Sequence, residues 1–409
     1  MIEVRRLLRV GIVGKTNTGK TTFFNASTSS TAEVSNYPFT TKKPNLGTGR
    51  VQTLCVCREL GLTDKPVNSS CLDGWRFIPV DILDLPGLIK GAWAGRGLGT
   101  QFLNVVSQAD ALLHVVDASG SVDEEGKITK PGMGNPILDA YDIEEELILW
   151  FKVAVDRALQ RAKKHTTGKD SYADPIGREL VGIGVLPRHT QQALQTAGLE
   201  SKHPAEWKDE DSRKFAEKVR EISKPTVIIA NKMDLPHAEQ NFERLRDEFK
   251  NQLVIPVCSE AELALKRAEE KGFIEYVPGE ESFKVKEESR ITKDQAWALA
   301  YVQQRVMNKL MRTGVQFALN SCVFKLLGMN TVYPVEDPKS FSDHKGNVLP
   351  DAFLVPYDYT ARDLAKQIHS ELGAKMLYAM DVRNGLRLPS EYVLHDRDII
   401  SIVAAIRKQ

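Results

Sequence analysis

Short continuous apolar runs alternate with helix-spaced apolar stripes along this chain, and the alternation predicts its elements. Residues 8–13 (Leu-Arg-Val-Gly-Ile-Val) form a β-branched run, the pattern of a strand covered on both faces. Similar runs fall at 49–57, 76–83, 111–117, 225–230 and 253–257. Residues 137–164 place Leu147, Phe151, Ala154 and Ala158 on one face of a helix. Two more helices are predicted at 187–197, ended by Gly198, and at 209–223, ended by Pro225. Strands alternating with helices imply an α/β domain with a parallel sheet, and 119–224 reads as a helical block inserted in it.

Residues 292–320 repeat Ala296, Leu299, Val302, Val306 and Leu310 at helical spacing and read as a connector helix. From about residue 329 the texture shifts to short strands, at 331–336, 352–356, 375–382 and 398–404. One helix opens there at Thr360 with Asp363 at capping-box spacing, turns Leu364, Ile368 and Leu372 inward, and ends at Gly373. The expected domains are therefore 1–118 with 225–325, the insert 119–224, and an α+β module over 326–409. Residues 60–75 match no pattern.

Composition adds few constraints. Hydrophobic residues make up 42%, charged residues 27%, and net charge is +1, so nothing global demands nucleic acid or an acidic membrane. No apolar run approaches the roughly 18 residues of a membrane helix. The N-terminal Met1-Ile2-Glu3-Val4-Arg5-Arg6 has no signal-peptide anatomy, so a cytoplasmic monomer is expected. Cys55, Cys57 and Cys71 offer three thiolates but no fourth ligand at zinc spacing, so they read as strand cysteines.

The chemistry sits in three ordered motifs. Residues 14–21 (Gly14, Lys15, Thr16, Asn17, Thr18, Gly19, Lys20, Thr21) spell G-x-x-x-x-G-K-T between a strand and a helix-compatible run from Lys20 to Ala26, and with Thr22 they are the candidate phosphate-binding residues. The glycines let backbone N–H groups face phosphate oxygens; Lys20 reaches the β- and γ-phosphates, and the Thr21 hydroxyl holds Mg²⁺. Asp84-Leu85-Pro86-Gly87 closes a strand with a carboxylate on the Mg²⁺ side, and Gly87 frees the backbone to approach a γ-phosphate. Asn231-Lys232-Met233-Asp234 closes another, and Asp234 would accept hydrogen bonds from guanine N1–H and the 2-amino group. The segment 91–99 holds Gly91, Gly95, Gly97 and Gly99 and reads as a switch that orders on the γ-phosphate.

Together these motifs resemble translation-factor-class GTPases. Tyr37-Pro38-Phe39-Thr40-Thr41 is similar to switch I of the Obg superfamily, and 88–103, with Gly95-Arg96-Gly97-Leu98-Gly99, to its Gly-rich switch II. The helical insert and a C-terminal β-grasp module resemble the YchF-type branch that carries a TGS domain, with Asp363-Leu364-Ala365 and Ile368-His369 matching TGS sequences. The resemblance implies an α/β P-loop NTPase G domain with an inserted helical domain, followed by an α+β β-grasp (TGS) domain. It also implies a Mg²⁺-dependent GTPase, with Thr40 or Thr41 (Thr41 preferred) binding Mg²⁺ from switch I. Lys20, Thr41 and Gly87 would be the catalytic positions, and Thr21, Thr41 and Asp84 the Mg²⁺ side. YchF proteins typically lack N-K-x-D and favour ATP; this chain keeps it, so GTP and GDP are the expected ligands. In the fifth motif Cys258-Ser259-Glu260 allows two registers, with Ser259 or Glu260 near the base.

Ras-type enzymes place a water-orienting Gln directly after D-x-x-G. Here that residue is Leu88, which predicts slow turnover. Asn17 resembles the Asn of potassium-stimulated GTPases, which makes it a candidate K⁺ ligand; an ordinary loop residue is the equal alternative. The TGS module and the insert would dock on a ribosome or RNA. Arg362, Lys366, Lys375, Arg383 and Arg387 are candidate phosphate contacts, though interleaved acids fit a plain solvated face equally. Two alternatives stand beside this reading: a nucleotide-gated protein-interaction scaffold with incidental hydrolysis, and an ATPase of YchF type.

Overall fold

The structure is a computed structural model, and it describes residues 7–28, 45–88, 91, 105–165, 173–286 and 291–405. The chain begins with β1 (Arg9–Val13), α1 (Lys20–Ser27), β2 (Asn45–Leu54), α2 (Val56–Leu60), β3 (Ser70–Leu72), β4 (Trp75–Asp84) and β5 (Ala111–Asp117). Four helices follow, α3 (Pro136–His165), α4 (Ala173–Leu180), α5 (Pro187–Ala197) and α6 (Asp209–Ser223). Then come β6 (Thr226–Asn231), α7 (Ala238–Glu248), β7 (Val254–Pro256), α8 (Ser259–Glu270), β8 (Ile274–Glu275) and β9 (Lys284–Val285). Short helices α9 (Lys293–Val302), α10 (Asn308–Leu310) and α11 (Val315–Asn320) lead to β10 (Met329–Val335) and β11 (Phe353–Pro356). The chain closes with α12 (Ala361–Ile368), α13 (Ser370–Lys375), β12 (Met376–Asp381), β13 (Leu386–Leu388) and β14 (Ile399–Ala404). Among the described residues no helix is long and apolar enough to cross a membrane.

Contacts divide the chain into two compact units, Arg9–Gly47 with Asp81–Ala318, and Met1–Leu8 and Thr48–Val80 with Leu319–Gln409. In the first, the end of β4, then β1, β5, β6 and β7 pair side by side, all parallel. Every residue of β5 is buried, as a parallel strand covered on both faces requires. Helices α3 and α6 pack on the sheet, and Leu147, Phe151, Phe215 and Val219 share one core with Val13, Leu83 and Leu112. Residues 119–224, the inserted helical block, fall in the same unit as the parallel sheet.

The connector expected over 292–320 is broken. Met311 and Gly314 take positive φ, +67° and +89°. The break lets the Thr313 carbonyl accept from Cys258 N at 2.8 Å, and a Cβ on Gly314 would lie 2.2 Å from the Pro256 carbonyl oxygen. Helical periodicity runs through 292–320 because it reports burial and not the local φ that docking imposes.

In the second unit the sheet order is β11–β10–β14–β12–β13, with β10 and β14 parallel and the other pairs antiparallel. Thr360 caps α12, its Oγ1 accepting from Asp363 N at 3.2 Å, as the capping-box spacing predicts. The helix stops at Ile368, earlier than expected, because His369 is extended (φ −160°) and α13 begins anew. Gly373 lies within α13, where a Cβ would come 2.3 Å from Lys366 Cγ; close helix approach, and not a C-cap, requires this glycine. Leu364 is buried as expected, whereas Ile368 is exposed. Residues 60–75 also gain an account. Lys65 N donates to Val348 O (2.8 Å), Val67 N to Pro350 O (2.7 Å), and Asn68 bonds Ala352 through both side-chain atoms.

Replacing Gly314 by Ala forces a strained φ and a backbone collision, so a loss of about 2–4 kcal/mol is expected in urea unfolding. Gly272→Ala, also at positive φ but with open space around it, should cost only about 1–2 kcal/mol.

Candidate nucleotide site

The loop between β1 and α1 is shaped by three positive φ values, at Gly14 (+147°), Asn17 (+61°) and Gly19 (+95°). A Cβ on Gly14 would lie 2.3 Å from the Val115 carbonyl oxygen, and one on Gly19 equally close to Asn231 Nδ2. Neither position tolerates a side chain. Lys20 is buried, and its ammonium donates to the Lys15 carbonyl at 2.6 Å. Burial pulls its pKa down to about 8, against an opposing pull from Asp84. Thr18 Oγ1 donates to the same carbonyl at 3.0 Å.

Asp84 ends β4 beside α1, and Thr21 Oγ1 donates to its Oδ2 at 2.9 Å. Burial raises the Asp84 pKa, with Lys20 pulling the other way. The second oxygen, Oδ1, is buried with no hydrogen-bond partner among the described residues. A hydroxyl and a carboxylate side by side, with an orphaned carboxylate oxygen, are the hard oxygen donors that Mg²⁺ takes, directly or through water. Gly87 packs on the loop so closely that a Cβ would sit 2.6 Å from Thr16 Cγ2. Leu88 N donates to Gly14 O at 3.1 Å, and the Leu88 side chain is buried in the core.

The N-K-x-D segment closes the other side. Asn231 Nδ2 donates to Thr18 O (3.0 Å), and its Oδ1 accepts from Ser259 N (3.1 Å) and Ser259 Oγ (2.8 Å). Lys232, at φ +62°, donates to Asn17 O, Asp117 Oδ2 and Ser121 Oγ at 2.9, 2.9 and 3.1 Å. Asp234 accepts from Cys258 Sγ at 3.0 Å, and Tyr301 OH lies 3.4 Å from both its backbone O and its Oδ2. Of the two registers of the fifth motif, Ser259 meets Asn231, while Glu260 is exposed on the first turn of α8. Thr22 sits in the first turn of α1. Thr41, Thr40 and the Gly-rich segment beyond Gly91 lie outside the described residues.

Several residues that hold the loop in place lie outside the motifs. Asp117 binds Ser119 and Ser121 through both oxygens and then holds Lys232; the D-x-S-x-S string after β5 was the available signal. Lys15 turns its ammonium to Asp139 of α3 at 2.6 Å, in a buried ion pair, so only its backbone faces the loop. Asn17 Nδ2 donates to Gly126 O at 2.8 Å, and Thr16 Oγ1 to the same carbonyl at 3.3 Å. Gly126 comes so near that a Cβ would lie 1.9 Å from Thr16 Oγ1. The loop 119–134 therefore sits directly on the phosphate loop.

Comparison with known proteins now bears on this geometry. Residues 9–138 match the family model described as 50S ribosome-binding GTPase, and 345–404 match the TGS domain. Residues 229–337 match the Obg-like GTPase YGR210-like, G4 motif-containing domain. An uncharacterised GTP-binding protein of Methanocaldococcus jannaschii is 42% identical over 398 residues, 97% of this chain and 99% of that protein. The chain belongs to the Obg-like, YchF-type GTP-binding proteins. This Obg-like protein is a GTPase: it binds GTP and hydrolyses it. The solved structure of a GTP-binding protein from Pyrococcus horikoshii OT3 superposes at TM-score 0.77 with 33% identity, covering 97% of this chain and 100% of that one. A relative from Bacillus subtilis, named ribosome-binding ATPase YchF, is 32% identical over 277 residues, 64% of this chain and 69% of that protein.

Two outcomes follow from the buried charges. Asp139→Ala strands the Lys15 ammonium and should cost about 3–5 kcal/mol in denaturant unfolding, while a paired apolar replacement of both residues should cost far less. Phosphate must meet Lys20 as an ammonium, and a bound anion raises the pKa above its value of about 8 in the free protein. GDP affinity should therefore stay level below pH about 8 and fall by up to about tenfold per unit above it, in titrations with a fluorescent GDP analogue.

Proposed function

We propose that this Obg-like GTPase is a slow switch whose GTP form docks on the ribosome or RNA in the cytoplasm. The observation that carries the reading is Leu88. At the position where a water-orienting amide is needed, an apolar side chain is buried in the core instead. Lys20, Thr21 and Asp84 can bind and neutralise phosphate charge, so the site is built for holding GTP more than for rapid turnover. Bound Mg²⁺ would neutralise the β- and γ-phosphate oxygens from the side of Thr21 and Asp84, with Thr41 joining from switch I. The Gly87 backbone meets the γ-phosphate, and Asp234 and Ser259 read guanine.

The ribosome enters through the relatives' names and the family match over 9–138. The five basic TGS residues give it limited support. Arg362, Lys366, Lys375 and Arg383 pair with Glu391, Asp363, Glu371 and Glu59. Arg387 stacks over Tyr378, 3.9 Å from the ring centroid. Exposed pairs of this kind are worth only about 0–1 kcal/mol, so RNA phosphates can displace the carboxylates.

Co-sedimentation with ribosomes at fixed salt tests the reading. Pelleting with a non-hydrolysable GTP analogue and not with GDP is the expected result. Equal or absent pelleting in both states overturns it in favour of the protein-interaction scaffold.

Asn17 as a K⁺ ligand is the finer part of the proposal. Potassium near Asn17 would supply the positive charge that an arginine finger supplies elsewhere. Turnover in K⁺ should exceed turnover in Na⁺ by about tenfold or more, and Asn17→Ala should remove the difference. No difference between the ions would leave Asn17 with its Gly126 hydrogen bond as its role.

A further inference from the structure

We propose that Cys55, Cys57, Cys71 and Asp64 form a closed structural site for a thiophilic divalent cation, with zinc the expected occupant. The four side chains converge, each offering one ligand atom, and these atoms all lie within 4.8 Å of one another. Cys57 Sγ and Cys71 Sγ are 3.8 Å apart, and Cys55 Sγ lies 3.3 Å from Asp64 Oδ2. A tetrahedral zinc with Zn–S near 2.3 Å and Zn–O near 2.0 Å has edges of about 3.8 Å between sulfurs and about 3.5 Å between sulfur and oxygen. Two of the six separations, Cys57–Cys71 and Cys55–Asp64, already lie within about 0.2 Å of those edges, and the other four are at most 4.8 Å, so closing on the ion needs only small side-chain shifts.

Local structure explains the convergence. β2 stops at Leu54, so the cysteines expected to alternate along a strand fall elsewhere. Cys55 is the residue before α2, and Cys57 lies in its first turn. Gly61, in the left-handed conformation (φ +63°), ends α2 and sends the chain on to Asp64. Cys71 comes from β3, opposite Arg76 in the β3–β4 hairpin, and Cys55 N donates to Gly74 O across it at 2.8 Å. A spacing rule built on paired cysteines cannot find the fourth ligand, because here it is a carboxylate brought in by a turn.

The surroundings resemble the support that metal ligands receive. Arg76 is fully buried, and its guanidinium donates to Asp64 Oδ2 at 3.0 Å, to Ser69 Oγ at 3.0 Å and to the Leu349 carbonyl at 3.0 Å. It also lies over the Tyr333 ring, 5.4 Å from the centroid. Arg76 and Cys55 both meet Asp64 Oδ2, so the guanidinium orients the carboxylate oxygen that faces the cysteines, as outer-shell partners of metal ligands do. Asp64 and Cys71 are half-buried, which leaves a path for entry.

Binding would convert three thiols to thiolates, so one zinc displaces up to three protons to solvent and no redox partner is needed. Four protein ligands leave no open position, which makes the site structural. Its effect would be to fasten the turn 55–72, whose Lys65, Val67 and Asn68 hydrogen-bond to 348–352.

The test uses the full chain, purified and kept reduced. Elemental analysis should find one zinc per chain. After removal, titration with Co²⁺ should give the d–d and sulfur-to-cobalt bands of a tetrahedral thiolate site, with protons released. Cys71→Ser should weaken zinc binding on the order of 100-fold or more, and Asp64→Asn about tenfold, while Cys322→Ala should leave it unchanged. If a variant does not fold, the rate at which a thiol reagent labels the half-buried Cys71 in the folded wild-type chain, with and without Zn²⁺, decides instead; Zn²⁺ should protect it. No stoichiometric uptake of Zn²⁺ or Co²⁺ by the reduced chain, uptake unaffected by Cys71→Ser, or a Cys57–Cys71 disulfide in the reduced preparation would overturn the proposal.

Discussion

One side chain, Asn231, holds the nucleotide site together. Its amide donates to the Thr18 carbonyl of the phosphate loop, and its oxygen accepts two hydrogen bonds from Ser259. The phosphate loop, the end of β6 and the start of α8 are thereby fixed to one another through a buried group. In a low-dielectric interior such a network is strong when complete and costly when broken. Gly19 follows from the same constraint, since its Cβ would occupy the space of the Asn231 amide. Lys232 extends the clasp to Asn17 and Asp117, and its positive φ is the local strain that reach requires.

Charge is buried around this clasp. Lys20 and Asp84 sit buried within a few side chains of each other, each shifted towards its neutral form by burial. On the proposed reading, a triphosphate would bring counter-charge to Lys20, and Mg²⁺ would bring it to Asp84. Leu88, directly after D-x-x-G, contributes apolar burial where faster enzymes place an amide. The site thus combines tight charge complementarity with no water-orienting side chain at that position. That combination suits a switch whose rate is set by a partner.

The legible part of the sequence was the part in which function follows local spacing. G-x-x-x-x-G-K-T, D-x-x-G and N-K-x-D each fix a strand end and a turn, and strands such as Ala111–Asp117 and helices such as Pro187–Ala197 appear where the apolar pattern puts them. What the pattern could not carry came from distant residues. Asp139 is 124 residues from Lys15, and Gly126 is 109 from Asn17, so no local rule joins them. The break at Gly314 and the restart of helix after His369 were hidden because periodicity tracks burial, and burial continues across both. Cys71 lies in a strand, β3, as its pattern suggests, whereas Cys55 and Cys57 leave theirs because the apolar run 49–57 continues past Leu54 into α2.

The most direct test of the clasp is a double-mutant cycle on GDP affinity, with Asn231→Ala, Ser259→Ala and the pair. If Asn231 acts by joining the phosphate loop to α8, the two losses overlap, and the coupling energy should be on the order of 1 kcal/mol or more. Losses that add to within about 0.5 kcal/mol would mean that the two residues act independently, and the site would not depend on this interaction.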